Sequence, residues 1–558
     1  MTNTTSANKI WGRSAFLELL KQEGVTHMFG NPGTTELPIM HALADHPDLT
    51  YVLGLQEALV VAMADGYSRA SGKLVACNVH VAPGLGNAMG SLFNAKFTNT
   101  PMILTAGQQE QGHGLTEPVL YGDLVSMARP LVKWAVEVTQ LEDLPRIIHR
   151  AAKVAMTPPT GPVFLSLPGD ILNDEAGLDL GSATRIDTRV RPSDDVLETL
   201  AKRILAAENP VVVVGDEMVK SDALAEAAAF ATALGAPVFQ SSTPYGAQFL
   251  SEHPCFMGAL ERVQKQARAA LEPYDLMIAL GTDPLTMSVY SPIDPLPDGM
   301  KIVQIGLNEW DIAKNYPVEI AALGDLKTTL PALADMLARI GGDAQAARAK
   351  ASIAALAATN WSARRNRLIT ELSDGDGPQP IDPRHMAKMI TDVLPDNAIV
   401  VNEGLTSARL LDQLFPFRDR FAYHGLASGG IGWGLPAAVG VQIAQPDRPV
   451  VAVIGDGSAM YSIQALWTAA AMKLPLTYVI ANNGGYRIIK QRLKSFHGSE
   501  NYIAMDFVDP PIDFVAVASG MGLAAERITD PARVGPALNE AIANPGPNLL
   551  EIVVDGTV

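Results

Sequence analysis

Short apolar runs, many of them β-branched, recur along this chain, and each is followed by a longer Ala- and Leu-rich stretch. That alternation constrains the fold more than any other feature. The runs are "THMFG", "KLVACNVH", "PMILTAG" and "GPVFLSL" in the first third and "PVVVVGD", "YDLMIALG" and "MKIVQIG" in the middle. The last third holds "AIVVNEG", "PVVAVIGDG", "LPLTYVIANN" and "NLLEIVV". A continuous apolar run of strand length suits a strand buried on both faces, which is how helix-covered parallel sheets bury theirs. Two polar, Pro/Gly/Asp-rich stretches, 187–195 and 373–383, divide the runs into three blocks. At 558 residues the chain is too long for one core. The reading is α/β, with three doubly wound parallel-sheet domains spanning 1–182, 190–345 and 375–558. The first and last blocks look alike in layout.

Composition excludes several roles. A net charge of -17 argues against a nucleic-acid partner, which requires clustered Lys and Arg. Cys77 and Cys255 are too few and too far apart for a disulfide framework and suit a reducing compartment. No run of about 18 apolar residues occurs, and "MTNTTSANKIWGR" lacks an apolar signal core. A soluble, cytoplasmic protein without a membrane partner is expected.

The stretch "VIGDGSAMYS" carries the first chemistry. Alone, an aspartate between two glycines reads as a turn. The strand before it, the helix-spaced "SIQALWTAAAMK" after it and the next strand "LPLTYVIA" form one βαβ unit, however. That unit places Asp456 and Asn483 at the carboxyl ends of parallel strands, where open α/β sheets bind ligands. An anionic oxygen from Asp456, a neutral one from Asn483 and a backbone carbonyl near Gly485 form a partial shell of the kind Mg²⁺ takes, with phosphate and water completing it. The helix N-terminus beyond Gly457 offers N–H groups to a diphosphate.

At this spacing "GDG…NN" resembles the cofactor motif of the thiamine diphosphate-dependent decarboxylases, and within them the benzoylformate decarboxylases. The likeness continues in "FGNPGTTELP", "LGLQEALVVAMADGYSRASGK", "NVHVAPGLGNAMGSLFNA", "TAGQQ", "RPLVKW" and "GGIGWGLPAAVGVQ". The resemblance implies a pyrimidine-binding, a middle and a diphosphate-binding domain, with thiamine diphosphate and Mg²⁺ as cofactors. It implies that Glu57 hydrogen-bonds the aminopyrimidine ring, that Ile431 holds the two rings bent, and that the Gly429 carbonyl accepts from the exocyclic amine. Asn31, Pro32, Gly33 and Asn87 would line the cofactor, with Tyr486 beside it. Thr406, Gly457 and Ser458 would contact the diphosphate, and Asp456, Asn483 and Gly485 would hold the metal. His80 matches a catalytic histidine, and Thr34 stands where the family has a serine on the substrate carboxylate. Sites of this family lie between the first domain of one chain and the last of another, which implies a homo-oligomer, dimeric at least and tetrameric as the family usually is.

Departures from the pattern leave alternatives open. The family's second catalytic histidine falls near Ser288, and no histidine lies between His253 and His385. His113 is either its replacement or a solvent-exposed loop histidine. Val119 and Leu120 keep an apolar pocket wall, while Ile488 and Arg492 replace small and aromatic residues. Arg492 either reaches an anionic substrate tail or belongs to a solvated amphipathic helix. The expected reaction is non-oxidative decarboxylation of a 2-oxo acid to an aldehyde and CO2, with a carboligase or lyase of the acyloin or acetolactate synthase kind as the alternative. A nucleotide-dependent oxidoreductase fits less well, because "GLGNAMG" is spaced GxGxxxG. FAD, carried in the middle domain by some relatives of this family, is not expected, although the sequence leaves it open. A non-catalytic binding protein would have lost Glu57, Asp456 or Asn483, and all three are present.

Overall fold

A computed structural model describes residues 9–242, 245–287, 290–373 and 377–558. It contains three six-stranded sheets, every ladder of them parallel, and a two-stranded antiparallel pair joining Ile10–Trp11 to Glu175–Ala176. The first sheet runs Thr50–Leu53, His27–Gly30, Val75–Val79, Met102–Gln108, Pro162–Pro168, Ala135–Glu137. The third runs Tyr423–Gly425, Ile399–Glu403, Val450–Gly455, Leu476–Asn482, Asn548–Val553, Ala524–Ile528. Numbered within each sheet, both follow the order 2-1-3-4-6-5, so the likeness of the outer blocks is topological. The middle sheet runs Phe256–Ala259, Val238–Gln240, Pro210–Val214, Leu276–Leu280, Lys301–Gly306, Ile320–Leu323, the dinucleotide-fold order 3-2-1-4-5-6.

The interior strands read as expected, except Val238–Gln240 in the middle sheet, which was not anticipated. Val75–Val79, Met102–Gln108, Pro162–Pro168, Pro210–Val214 and Leu276–Leu280 are buried at every position, because helices cover both faces. In a 2-1-3-4 order the crossover direction reverses between the first and third strands, which leaves a crevice at their carboxyl ends. In the first sheet that crevice opens between Gly30 and Val79, beside Asn31 to Gly33 and His80. In the third it opens between Glu403 and Gly455, beside Thr406 and Asp456.

The two outer domains share one core. The helices Glu57–Ser71 and Gly434–Ala444 cross at backbone contact, and the buried cluster around them takes side chains from both domains. A Cβ on Gly440 would lie 1.9 Å from the Met63 carbonyl oxygen, and one on Gly66 would lie 2.2 Å from that of Ala437. Only glycine permits so close a crossing. Asp65, fully buried, accepts from Trp433 Nε1 at 2.7 Å and from Asn94 at 2.9 Å, and the Arg69 guanidinium lies over the Trp433 ring.

Candidate active site

The site residues form two clusters, one at each crevice. In the first domain Glu57 opens the helix Glu57–Ser71. It is buried, and Asn87 Nδ2 donates to its Oε2 at 3.0 Å. His80 caps the helix Val81–Phe97, and its Nδ1 lies 2.7 Å from Glu36 Oε2. Glu36 is fully buried and also accepts from the Gly33 N–H at 2.8 Å, the Gly107 N–H at 2.8 Å and Thr35 Oγ1 at 2.7 Å. A carboxylate so surrounded by donors can only accept, so the His80 proton sits on Nδ1 and Nε2 is free for chemistry. Val81, next in the chain, is buried at φ 40, a conformation costly for a β-branched residue and one that the surrounding core must impose. Asn31, Pro32 and Gly33 are half-buried beside this group, and Thr34 is exposed.

In the third domain Asp456 is almost fully buried. Its Oδ1 accepts from the Gly457 N–H at 2.9 Å and its Oδ2 from the Gly485 N–H at 3.1 Å. Burial pushes this carboxyl up, opposed by those N–H groups. Asn483 Nδ2 donates to Ser407 Oγ at 3.3 Å, while its Oδ1 is buried without a partner. A buried carbonyl oxygen with no donor is costly unless a ligand completes it. Asp456 and Asn483 both line a cavity of about 290 Å³, together with Gly484 and Phe507. The Gly485 carbonyl accepts from the Arg487 N–H at 2.9 Å and keeps one lone pair. Among the described residues no cluster of three His, Cys, Asp or Glu side chains could hold a metal. This oxygen set, one carboxylate with neutral carbonyls, nevertheless suits a hard divalent cation that also binds phosphate.

The Tyr486 ring packs edge-on against Phe507 and over Gly457, where a Cβ would lie 2.7 Å from the ring. Ser458 is buried, and Thr406, Ile431 and Tyr486 are half-buried. Gly429 is exposed at φ 79 on the segment before the helix Gly434–Ala444. Among the described residues no hydrogen bond joins the Glu57 group to the Asp456 group. Each half presents its face separately, and exposed apolar side chains border both: Leu55 and Phe93 beside one, Met460 and Tyr461 beside the other.

The expected substrate-pocket residues are less assembled. His113 lies exposed on the helical turn Gln111–Thr116, with Nδ1 3.1 Å from Thr116 Oγ1, so within one chain it matches the solvent-exposed reading. Val119 is 85% exposed, so it walls nothing within a single chain, whereas Leu120 packs on the core at φ 76. Ile488 and Arg492 lie on the helix Arg487–His497, none of whose residues is buried, and the Arg492 guanidinium lies over the Phe496 ring. Ser288 lies outside the described residues.

Two buried carboxylates were passed over in the motif reading. Glu36 follows Gly33 at capping-box spacing in "GTTE", and Glu403 ends the strand "IVVNE" at the third domain's switch point. Glu403 could have been flagged as an acidic residue terminating a buried run, and Glu36 by its capping-box spacing.

Comparison with known proteins names the architecture. Three thiamine pyrophosphate enzyme family models match: the N-terminal TPP binding domain at residues 10–119, the central domain at 197–333 and the C-terminal TPP binding domain at 406–552. This chain belongs to the thiamine pyrophosphate enzyme family. Benzoylformate decarboxylase of Pseudomonas aeruginosa is 34% identical over 544 residues, covering 97% of this chain and 98% of that one. The acetolactate synthase large subunit of Haemophilus influenzae is 26% identical, covering 96% and 92%. Among solved structures, the thiamine diphosphate-dependent 4-hydroxybenzoylformate decarboxylase of Rhodococcus jostii superposes with a TM-score of 0.86 at 32% identity, covering 98% and 99%. The benzoylformate decarboxylase of Polynucleobacter necessarius gives 0.87 at 30%, covering 98% and 99%. The protein is therefore a thiamine diphosphate enzyme, as its motifs implied. Among the described residues no helix is long and apolar enough to cross a membrane.

Proposed function

We propose that this thiamine diphosphate enzyme is a Mg²⁺-dependent, non-oxidative 2-oxo acid decarboxylase of the benzoylformate decarboxylase kind, releasing CO2 and an aldehyde. The observation that carries the reading is His80, held in one tautomer by the buried Glu36 at the carboxyl end of a parallel strand. A decarboxylase must return a proton to carbon after CO2 departs, and a histidine whose free Nε2 first takes up a proton from solvent beside the cofactor face can then deliver it.

Bound thiamine diphosphate supplies a nucleophilic carbon and an electron sink for the bond next to the ketone. The protein's own groups do the rest. Asp456 and the unpartnered Oδ1 of Asn483 would hold Mg²⁺, with the Gly485 carbonyl as a third oxygen. Gly457, Ser458 and Thr406 would bind the diphosphate, and Ile431, Gly429 and Tyr486 would line the ring system. Glu57 would hold the pyrimidine edge, lined by Asn31, Pro32, Gly33 and Asn87, and Thr34 would meet the substrate carboxylate. The two halves would close on each other between copies of the chain, covering Leu55, Phe93, Met460 and Tyr461. A dimer is thus the smallest working unit and a tetramer the expected form. His113, Val119 and Leu120 would reach the pocket in that assembly, and Arg492 would meet an anionic substrate tail.

Flavin fits poorly. At the carboxyl edge of the middle sheet the Glu217 carboxylate accepts from the Leu307 N–H at 2.7 Å and the Asn308 N–H at 3.1 Å. A carboxyl side chain therefore already occupies the donors that a dinucleotide phosphate would use, and the reaction proposed needs no flavin.

A second reading, carboligation, is favoured by the lack of any histidine between His253 and His385. A panel of aryl and branched 2-oxo acids, assayed for CO2 and aldehyde with thiamine diphosphate and Mg²⁺, decides between the two. Equimolar CO2 and aldehyde supports decarboxylation, CO2 with an acyloin in place of the aldehyde supports ligation, and no CO2 from any acid refutes both.

A further inference from the structure

The helix Gly434–Ala444 begins without a side-chain cap of its own: its N-cap, Trp433, offers none. Its first N–H groups are instead satisfied from the neighbouring strand. Glu403, 1% exposed at the end of Ile399–Glu403, accepts from the Gly432 N–H at 2.6 Å through Oε1 and from the Gly434 N–H through Oε2. The fit leaves no slack. A Cβ on Gly434 would lie 2.4 Å from Ile454 Cδ1 and 2.9 Å from Glu403 Oε2. A buried carboxylate at a helix N-terminus is stabilised by the helix dipole and completes donors that otherwise have no partner.

We propose that Glu403 is a positioning residue that fixes the Gly429–Gly434 segment, and with it the Ile431 side chain, from behind the cofactor face. The inference rests on the thiamine diphosphate reading above. Ile431 precedes Gly432 directly and Gly429 stands three residues before it, so the two clamped N–H groups set where both point. Burial pushes Glu403 up to about 7, opposed by the backbone N–H groups that it accepts from.

The test compares Glu403→Gln with wild type, using Val213→Ala, in the middle-domain core, as a matched loss of stability. Glutamine keeps one acceptor oxygen but turns an NH2 toward the second backbone donor. In the cofactor-free protein, hydrogen exchange at Gly432 to Gly434 should accelerate at least tenfold in Glu403→Gln and stay at the wild-type rate in Val213→Ala. In the Mg²⁺-containing protein, thiamine diphosphate Kd should rise roughly tenfold or more, the effect of losing a hydrogen bond to a charged group. At saturating cofactor, kcat should fall while KM for the 2-oxo acid moves less than twofold. Unchanged exchange with Kd within twofold overturns the inference, as does an equal rise in Kd for Val213→Ala. If the wild type binds no thiamine diphosphate, the cofactor reading fails, and the exchange data still decide whether Glu403 holds the segment.

Discussion

Gly33→Ala probes the His80–Glu36 pair without touching either residue. Gly33 has φ -116 and ψ -163, extended backbone that alanine adopts freely, so the backbone is not strained by the change. The cost is steric. The new Cβ would lie 2.1 Å from His80 Nδ1 and 2.3 Å from Cγ and Cε1. Non-bonded heavy atoms settle near about 3.5 Å, so the ring must retreat by roughly 1.4 Å. That displacement cannot keep the 2.7 Å contact with Glu36. Losing a hydrogen bond to a charged group costs about 1.5–3 kcal/mol, and misplacing a reacting group by about 1 Å costs on the order of a hundredfold in rate. A fall of about a hundredfold in kcat/KM follows, with the melting temperature shifted by only a few degrees. Aldehyde production from whichever 2-oxo acid the wild type turns over fastest, at saturating thiamine diphosphate and Mg²⁺, measures it. A folded, cofactor-loaded variant within threefold of wild type would refute the role of His80.

Other perturbations test separate parts of the account. Asn483→Leu removes the unpartnered oxygen beside Asp456 and should raise the Mg²⁺ concentration needed for cofactor binding by roughly 10–100-fold, read by metal titration. Glu217 is pushed up to about 7 by burial, so its native state holds a proton that the unfolded chain releases above the ordinary 4.5. Stability should therefore fall as pH rises from about 4.5 to 7, by up to about 3 kcal/mol, and urea unfolding of Glu217→Gln should lose that slope. Gly440→Ala should destabilise the outer-domain pair by about 1–3 kcal/mol, because the helices must part to clear the Met63 carbonyl. Arg492→Leu should shift preference from anionic toward aromatic 2-oxo acids, and an unchanged ratio of kcat/KM values would remove Arg492 from the pocket.

What was legible in the chain divides along physical lines. The strands read from the sequence lie in the sheet interiors, where cover on both faces makes runs such as "PVVVVGD" and "PVVAVI" continuous. The strands overlooked, Thr50–Leu53, Ala135–Glu137, Ile320–Leu323, Tyr423–Gly425 and Ala524–Ile528, are all edges, with Val238–Gln240 and Phe256–Ala259 together at one side of the middle sheet. Short edge strands need no continuous apolar run, so periodicity does not reveal them. The convergence of Asp456 and Asn483 on one cavity was legible because one βαβ unit joins them. The Glu36–His80 contact was not, since it depends on two segments meeting across a crevice with the partners 44 positions apart in the chain. The carboxyl clamp on the Ile431 segment likewise needs the strand ending at Glu403 to meet a helix that starts 31 residues later. Val119 is exposed within one chain, and Ile488 and Arg492 are only half-buried, so burial within a single chain does not bring these three together.

The central claim is that Asp456 and Asn483 form the metal end of a thiamine diphosphate site, and calorimetric titration of the cofactor tests it most directly. Metal-free protein should bind thiamine diphosphate weakly, addition of Mg²⁺ should tighten binding by at least a hundredfold, and Asp456→Ala should abolish that gain. Equal affinity with and without Mg²⁺, or an Asp456→Ala variant that still responds to the metal, would contradict the account.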